Sequence, residues 1–184
     1  MILMVGNMVV YPGQGPCMID TVFVRIVGGA PKSFYHLVIL DDSRGELFIP
    51  VDKAHTIGIR PLLERSEIPH LLDQLRKRAN VSKDWKQRAN DNSKLFSSGS
   101  AFDLAEIVKS LTELKEKKTL SIREDWTLER ARKLLICEIS EVMRETKSAA
   151  EEWVDQALQA RRTAMPISPP VANHLTYNIQ EKET

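Results

Sequence analysis

No run of about 18 or more apolar residues occurs anywhere in the 184-residue chain, so no membrane-spanning helix is expected. The opening MILMVGNMVVYPGQG has neither a basic start nor a small-residue cleavage pattern, and a cytoplasmic location is expected. Cysteine is scarce. Cys17 and Cys137 stand far apart with no CxxC or Cys/His cluster, so two reduced, partly buried thiols are expected and no metal site. Histidine is as sparse, and His36, His55, His70 and His174 show no ligand spacing; there is no GxSxG elbow, and the carboxylates are spread over helix faces. Neither an enzyme nor a cofactor is expected. Net charge is also nearly absent, at +1, which argues against a histone-like binder whose affinity comes from bulk phosphate contact.

The distribution of charge says more than its sum. Residues 1–65 carry six basic side chains (Arg25, Lys32, Arg44, Lys53, Arg60, Arg65) against six acidic ones (Asp20, Asp41, Asp42, Glu46, Asp52, Glu64). Between positions 76 and 94, Arg76, Lys77, Arg78, Lys83, Lys86, Arg88 and Lys94 face only Asp84 and Asp91. One basic patch stands on a balanced protein.

Two regions differ in period. Up to residue 65, short apolar runs alternate with turn formers: MVVY, PGQGP, CMIDTVFVRIV, GGAPK, SFYHLVIL, DDSRG, ELFIP, HTIGI. About five strands fit, as in an SH3-like or Tudor-like antiparallel β-barrel. GGAPK and DDSRG read as hairpin connections. In SFYHLVIL the large residues Phe34, Leu37 and Ile39 do not alternate cleanly, so this strand reads as central and two-sided. From Ser66 the period becomes helical: Ile68, Leu71, Leu72 and Leu75 form a stripe with Ser66 as cap. A second helix starts near Ser82, carries Trp85, Arg88, Asn92, Leu95 and Phe96, and stops at Gly99. A third runs over about 101–117. Ser121 and Glu124 form a capping box before Leu128, Ala131, Leu135, Ile139 and Val142, and Ser148 with Glu151 repeats it before Trp153, Val154, Ala157 and Leu158. The expected fold is therefore α+β and multidomain: a barrel over 1–65, an all-α bundle of about five helices over 66–162, and a disordered proline-rich tail over 163–184.

This order of parts resembles the CarD/CdnL family of bacterial transcription regulators. The likeness is carried by VGNMVVYPGQG at 5–15, FIPVDKAHTIGIRPL at 48–62, the Trp85 segment, SGSAFDLAEIVKSL at 98–111 and LSIREDWTLERARKLLICEIS at 120–140. The resemblance implies that residues 1–65 form an RNA polymerase-interacting domain, shared with the transcription-repair coupling factor, that docks on the polymerase β subunit. It also implies a monomeric, nucleoid-associated regulator whose bundle touches promoter DNA at the fork junction, with a tryptophan wedged into the minor groove.

Trp85 matches that wedge. A large apolar side chain can fill an unstacked minor-groove step at a cost of a few kcal/mol, which is lower at a bubble edge. An arbitrary helical tryptophan is more often packed inside, but the KDWKQR surroundings favour exposure. Lys83, Lys86, Arg88 and Lys94 are then expected at phosphates, although a charge run is usually just a solvated face. Gln87 and Asn90 stand where many relatives have basic residues, and Asp125 where some carry lysine. Trp126 and Trp153 follow capping boxes and are expected in the core or at its margin. On the barrel, Arg25 and Phe48 match polymerase-contact positions of relatives; Phe48 precedes Ile-Pro in a strand and fits a core-facing side chain equally well. An exposed strand could also extend a partner's sheet. The two glycines of Tyr11-Pro12-Gly13-Gln14-Gly15 lack the rest of a phosphate loop and suit a tight turn. Arg60 is expected to close the barrel or begin the linker. The function expected is stabilisation of the open promoter complex; the alternative is a polymerase-bound adaptor with little DNA contact.

Overall fold

The computed structural model describes residues 3–41, 45–79 and 84–163. The N-terminal part is an antiparallel sheet of β1 (Met8–Tyr11), β2 (Gly15–Val27), β3 (Ala30–Ile39), β4 (Glu46–Pro50) and β5 (Arg60–Pro61). Its order is β4-β3-β2-β1-β5. The expected closed barrel is therefore not what the described residues form: β4 and β5 are the two edges of an open sheet. β5 has only two residues, and Pro61 has no N–H to give to a second ladder. Between β4 and β5 the chain makes a short 3₁₀ turn (Val51–Lys53) and the one-turn α1 (Ala54–Ile57), whose Ala54 is buried with the sheet core.

The β2–β3 hairpin turns on Gly28 and Gly29, both with positive φ (61° and 81°), the backbone that a tight two-residue hairpin demands. The ladder pairs Cys17 with Ile39 and Ile19 with Leu37, then slips between Ile19 and Thr21. That bulge leaves Asp20 unpaired and inverts the alternation of β2. Beyond it, Val22 sits opposite Tyr35, while Phe23 sits opposite Phe34 and Arg25 opposite Lys32 on the other face. β3 is one-sided after all: Tyr35, Leu37 and Ile39 are buried, and Phe34, His36 and Val38 alternate with them on the outer face. The strand is central as expected, between β4 and β2, but only one of its faces is buried. DDSRG falls largely on residues 42–44, outside those described, although the Ile39 N–H donates to the Gly45 carbonyl at 2.8 Å as a hairpin closure would. Cys17 and Cys137 are both buried thiols, and burial pushes the Cys17 thiol up to about 12, so it stays protonated.

The helical part comprises α2 (Ile68–Arg76), α3 (Trp85–Ser98), α4 (Ala101–Lys117), α5 (Ile122–Met143) and α6 (Lys147–Thr163). Local chemistry sets most of these ends. Ser121 and Glu124 form the expected capping box. Ser100 caps α4 by accepting from the Asp103 N–H. Two expected caps are displaced. The chain enters α2 through a 3₁₀ turn (Arg65–Glu67) boxed by Glu64 and Glu67, with Pro69 in the first turn, and Ser66 only bonds Glu64. At α6 it is Thr146 that accepts from the Ala149 N–H (3.1 Å), so Ser148 already lies inside the helix. Ser82 lies outside the described residues; α3 is capped by Asp84, which accepts from the Lys86 N–H. Ile68, Leu71, Leu75, Leu104, Ile107, Val108, Leu111, Leu128, Leu135, Ile139 and Val154 close one core, with Trp153 packed at its margin. Each such side chain contributes roughly 1.5–3 kcal/mol of burial.

A polar joint connects sheet and bundle. Arg60 reaches across to Glu138 with two parallel bonds of 2.7 and 2.8 Å, and its Nε donates to the Gly99 carbonyl at 2.9 Å. Glu138, 1% exposed, also accepts from the Leu63 N–H at 3.1 Å. The Tyr11–Gly15 turn packs here too. Arg130 donates to the Gly13 carbonyl at 2.9 Å, and Gly99, left-handed at φ 71°, lies so near Pro12 that a Cβ would stand 2.9 Å from its ring. The glycines first read as a turn thus also allow close approach to the bundle, and Arg60 belongs to the joint between the two parts.

Candidate functional site

Two surfaces carry the residues singled out in the sequence. The first is the outer face of the sheet. The inverted alternation of β2 puts Phe23 and Arg25 on this face, and β3 and β4 add Phe34, His36 and Phe48. Phe23 stacks on Phe34 at 5.8 Å and meets Phe48 edge-on at 5.8 Å, while the His36 ring stacks on Phe48 at 4.9 Å. The guanidinium of Arg25 lies over Phe23 (5.0 Å) and Phe48 (5.7 Å). Phe48 is half exposed, so of its two possible orientations it takes the outward one. His36 is steadied by Asp20, 3.1 Å from Nδ1, with Glu46 3.4 Å from Nε2. The result is a pre-ordered aromatic plate with one cation laid over it, next to the free edge of β4, whose main chain can pair with another strand.

The second surface is at the start of α3. Trp85 is its first residue and is 64% exposed. Lys86 sits with its ammonium 5.7 Å from the indole, and Lys94 is exposed two turns on. Lys83 falls outside the described residues. Arg88 departs from expectation. It is buried, and its Nε and Nη2 donate to one oxygen of Glu124 at 3.1 and 2.8 Å, so it is held by α5 and is not offered to a phosphate. Glu124 is held in turn by the Ser121 N–H (3.0 Å) and hydroxyl (2.8 Å). Burial works to raise its pKa, but the Ser121 and Arg88 bonds outweigh burial and hold the carboxyl below the usual carboxylate range. Gln87 is engaged by Asp91 at 2.8 Å, and Asp125 pairs with Lys115 at 2.8 Å.

Trp126 is the largest correction. Instead of packing in the core or at its margin it is 64% exposed, as much as Trp85. Both indoles line one cleft of about 690 Å³ between α3 and the α4–α5 turn, together with Phe96, Leu120, Lys118 and Arg123. Sequence reasoning also missed Phe23, which supports Arg25, and Glu124 as the partner of Arg88. Among the described residues no group of three or more His, Cys, Asp or Glu could hold a metal, and no helix is long and apolar enough to cross a membrane.

Comparison with known proteins places both surfaces. Residues 3–63 match the family model described as the CarD-like/TRCF RID domain, and residues 70–155 match the model of the CarD C-terminal domain. The chain belongs to the CarD family. The candidate transcription factor YdeB of Bacillus subtilis (strain 168) is 26% identical over 140 residues, which cover 73% of this chain and 88% of that protein. The solution structure of the N-terminal domain of Myxococcus xanthus CarD is 32% identical, covering 32% of this chain and 77% of that one, at a TM-score of 0.28. A CarD-type chain is a transcription-related, RNA polymerase-interacting protein, and the families matched are interaction and transcription-factor domains rather than enzymes. The two matched segments divide the chain where the period changes, so the aromatic plate lies in the RID segment and the tryptophan cleft in the C-terminal one.

Proposed function

We propose that this CarD-family chain holds the β subunit of RNA polymerase through the outer face of its sheet, centred on Arg25 and Phe48, and grips the upstream edge of the promoter bubble through the start of α3. Residues 1–65 act as the tether and 66–162 as the DNA-binding part. Trp85 is the wedge in the minor groove, with Lys86, Lys94 and Lys83 at neighbouring phosphates. By binding the open promoter better than the closed one, the chain shifts that equilibrium by the difference in affinity. A coupling of about 1–3 kcal/mol changes open-complex occupancy by about 5–150-fold.

The observation that carries this reading is the exposed indole at the first position of α3 with a lysine ammonium against it. An apolar side chain of that size left in water beside cations suits a partner that is both apolar and anionic, as a base step between phosphates is. The burial of Arg88 favours the alternative, a polymerase-bound adaptor with little DNA contact, because it removes one cation from the proposed phosphate set.

Salt-titrated binding of the full chain to forked DNA separates the two. Under the proposal, affinity falls steeply with salt, Trp85→Ala weakens fork binding about tenfold at unchanged salt slope, and Lys86→Ala lowers the slope by about 0.9, the loss of one phosphate contact. Open-complex lifetime in transcription assays shortens in parallel. Fork binding that is absent, or independent of salt, would leave the adaptor.

A further inference from the structure

We propose that the cleft lined by Trp85 and Trp126 receives a single unstacked nucleobase, with Trp126 as the surface on which it stacks. This rests on the DNA-binding reading above and assigns a ligand to a residue outside the wedge itself. Trp126 lies on α5, Trp85 on α3, and the two indoles are equally exposed. Ile122, one helical turn before Trp126, is also exposed, so the start of α5 presents an apolar surface that the described residues leave open. Contiguous exposed apolar surface rimmed by polar residues is the kind that interaction sites and ligand grooves present.

Charge decides what would occupy it. Lys118 and Arg123 line the cleft and are exposed, and Lys86 stands against the Trp85 ring. Glu124, the carboxylate in the lining, is covered by the Arg88 guanidinium. A cation-rimmed aromatic recess of about 690 Å³ is too small for a duplex and large enough for one nucleotide. Asn92, Ser93 and Thr127 add neutral donors and acceptors to the lining, suited to a base edge. Any base has a face that an indole can stack on, so the cleft would hold a base without reading which one it is. The wedge and the cleft then act in succession on the same strand: Trp85 opens a step, and Trp126 keeps the displaced base from stacking back.

The test uses the full chain and forked DNA with 2-aminopurine at the first unpaired position. Binding should quench the probe, and Trp126→Ala should restore its emission and weaken fork binding by about 5–150-fold, the range for losing one base–ring stack. On a fork with an abasic site at that position, wild type and Trp126→Ala should bind alike. Trp126→Phe should recover part of the loss, and melting temperatures should stay unchanged because the indole is already in water. An equal loss on the abasic fork, or no change in emission, would overturn the cleft assignment while leaving the wedge reading in place. A loss confined to polymerase retention would assign the cleft to protein. A wild-type chain that binds no fork at all would overturn both readings.

Discussion

Arg25 and Arg88 each stand near an exposed aromatic ring, yet the first stays at the surface and the second turns inward. On β2, period-two alternation puts Arg25 on the same face as Phe23, at an exposed end of the hairpin. The guanidinium therefore lies on two rings, with no hydrogen bond from its donors among the described residues. On α3, Arg88 comes one turn after Trp85 on the same side of the helix, and there Glu124 of α5 closes on it. Proximity to an aromatic in sequence thus does not say whether a cation is offered or withheld; the neighbouring element decides. The sheet surface carries an exposed cation of its own, Arg25. The cleft must draw its positive potential from Lys86, Lys94, Lys118 and Arg123, because Arg88 serves the fold.

Arg60 is the extreme of the inward kind and should give the largest effect. Arg60→Ala leaves the Glu138 carboxylate almost fully buried with only the Leu63 N–H, and the loss of one partner from such a pair costs about 3–5 kcal/mol. Thermal unfolding followed by circular dichroism should show a drop on the order of 10 °C. Replacing both partners, Arg60→Met with Glu138→Met, should recover much of it, since no buried charge is then left alone. A single variant as stable as wild type would mean that the joint between sheet and bundle does not depend on this pair.

The next effect sharpens the contrast directly. Arg88→Ala should cost about 3 kcal/mol by taking the countercharge from Glu124, which keeps only its Ser121 bonds, and should loosen the wall of the cleft. Arg25→Ala should stay within about 0.5 kcal/mol of wild-type stability, because it removes only an exposed side chain. Its loss should appear in polymerase retention, about tenfold or more if the arginine is a binding hot spot. A destabilised Arg25→Ala, or an Arg88→Ala chain that folds normally and loses only DNA, would reverse the assignment of the two arginines.

Much of this was legible. The change of period near residue 65, the helix ends at Gly99 and Ser121, and the exposure of Trp85 all follow from local pattern. So, in retrospect, does Arg88: it shares a stripe with Leu95 and Phe96, which pack against the bundle core. Its partner lies 36 residues away, and no local rule points to Glu124. Trp126 had a readable signal that the capping box obscured. It precedes Leu128 by two residues, a turn of about 200° away from the buried stripe of α5. The bulge at Asp20 was not legible, because one extra residue in a strand leaves no mark in composition, yet it decides that Phe23 and Arg25 share the outer face. Sheet closure failed for a similar reason: β5 reads as a strand from its pattern, but two residues ending in proline cannot carry two ladders.

The smallest effect separates the two arginines by pH. Glu124 has a depressed pKa in the folded chain, so its carboxylate stabilises the native state fully above its ordinary value of 4.5, and that contribution is lost as pH falls through the lower folded value. Glu124→Gln cannot titrate and leaves Arg88 without its countercharge at neutral pH. The stability gap between wild type and Glu124→Gln should therefore be widest above pH 4.5 and narrow as wild type is acidified below it. Other carboxylates held low, such as Glu113 through its bond to Lys117, titrate equally in both chains and cancel from the difference. A gap that stays constant down to the acid limit would show that the Arg88–Glu124 charge pair contributes nothing beyond shape. The rings beneath Arg25 do not titrate, so its cation–π contacts should hold across the same range.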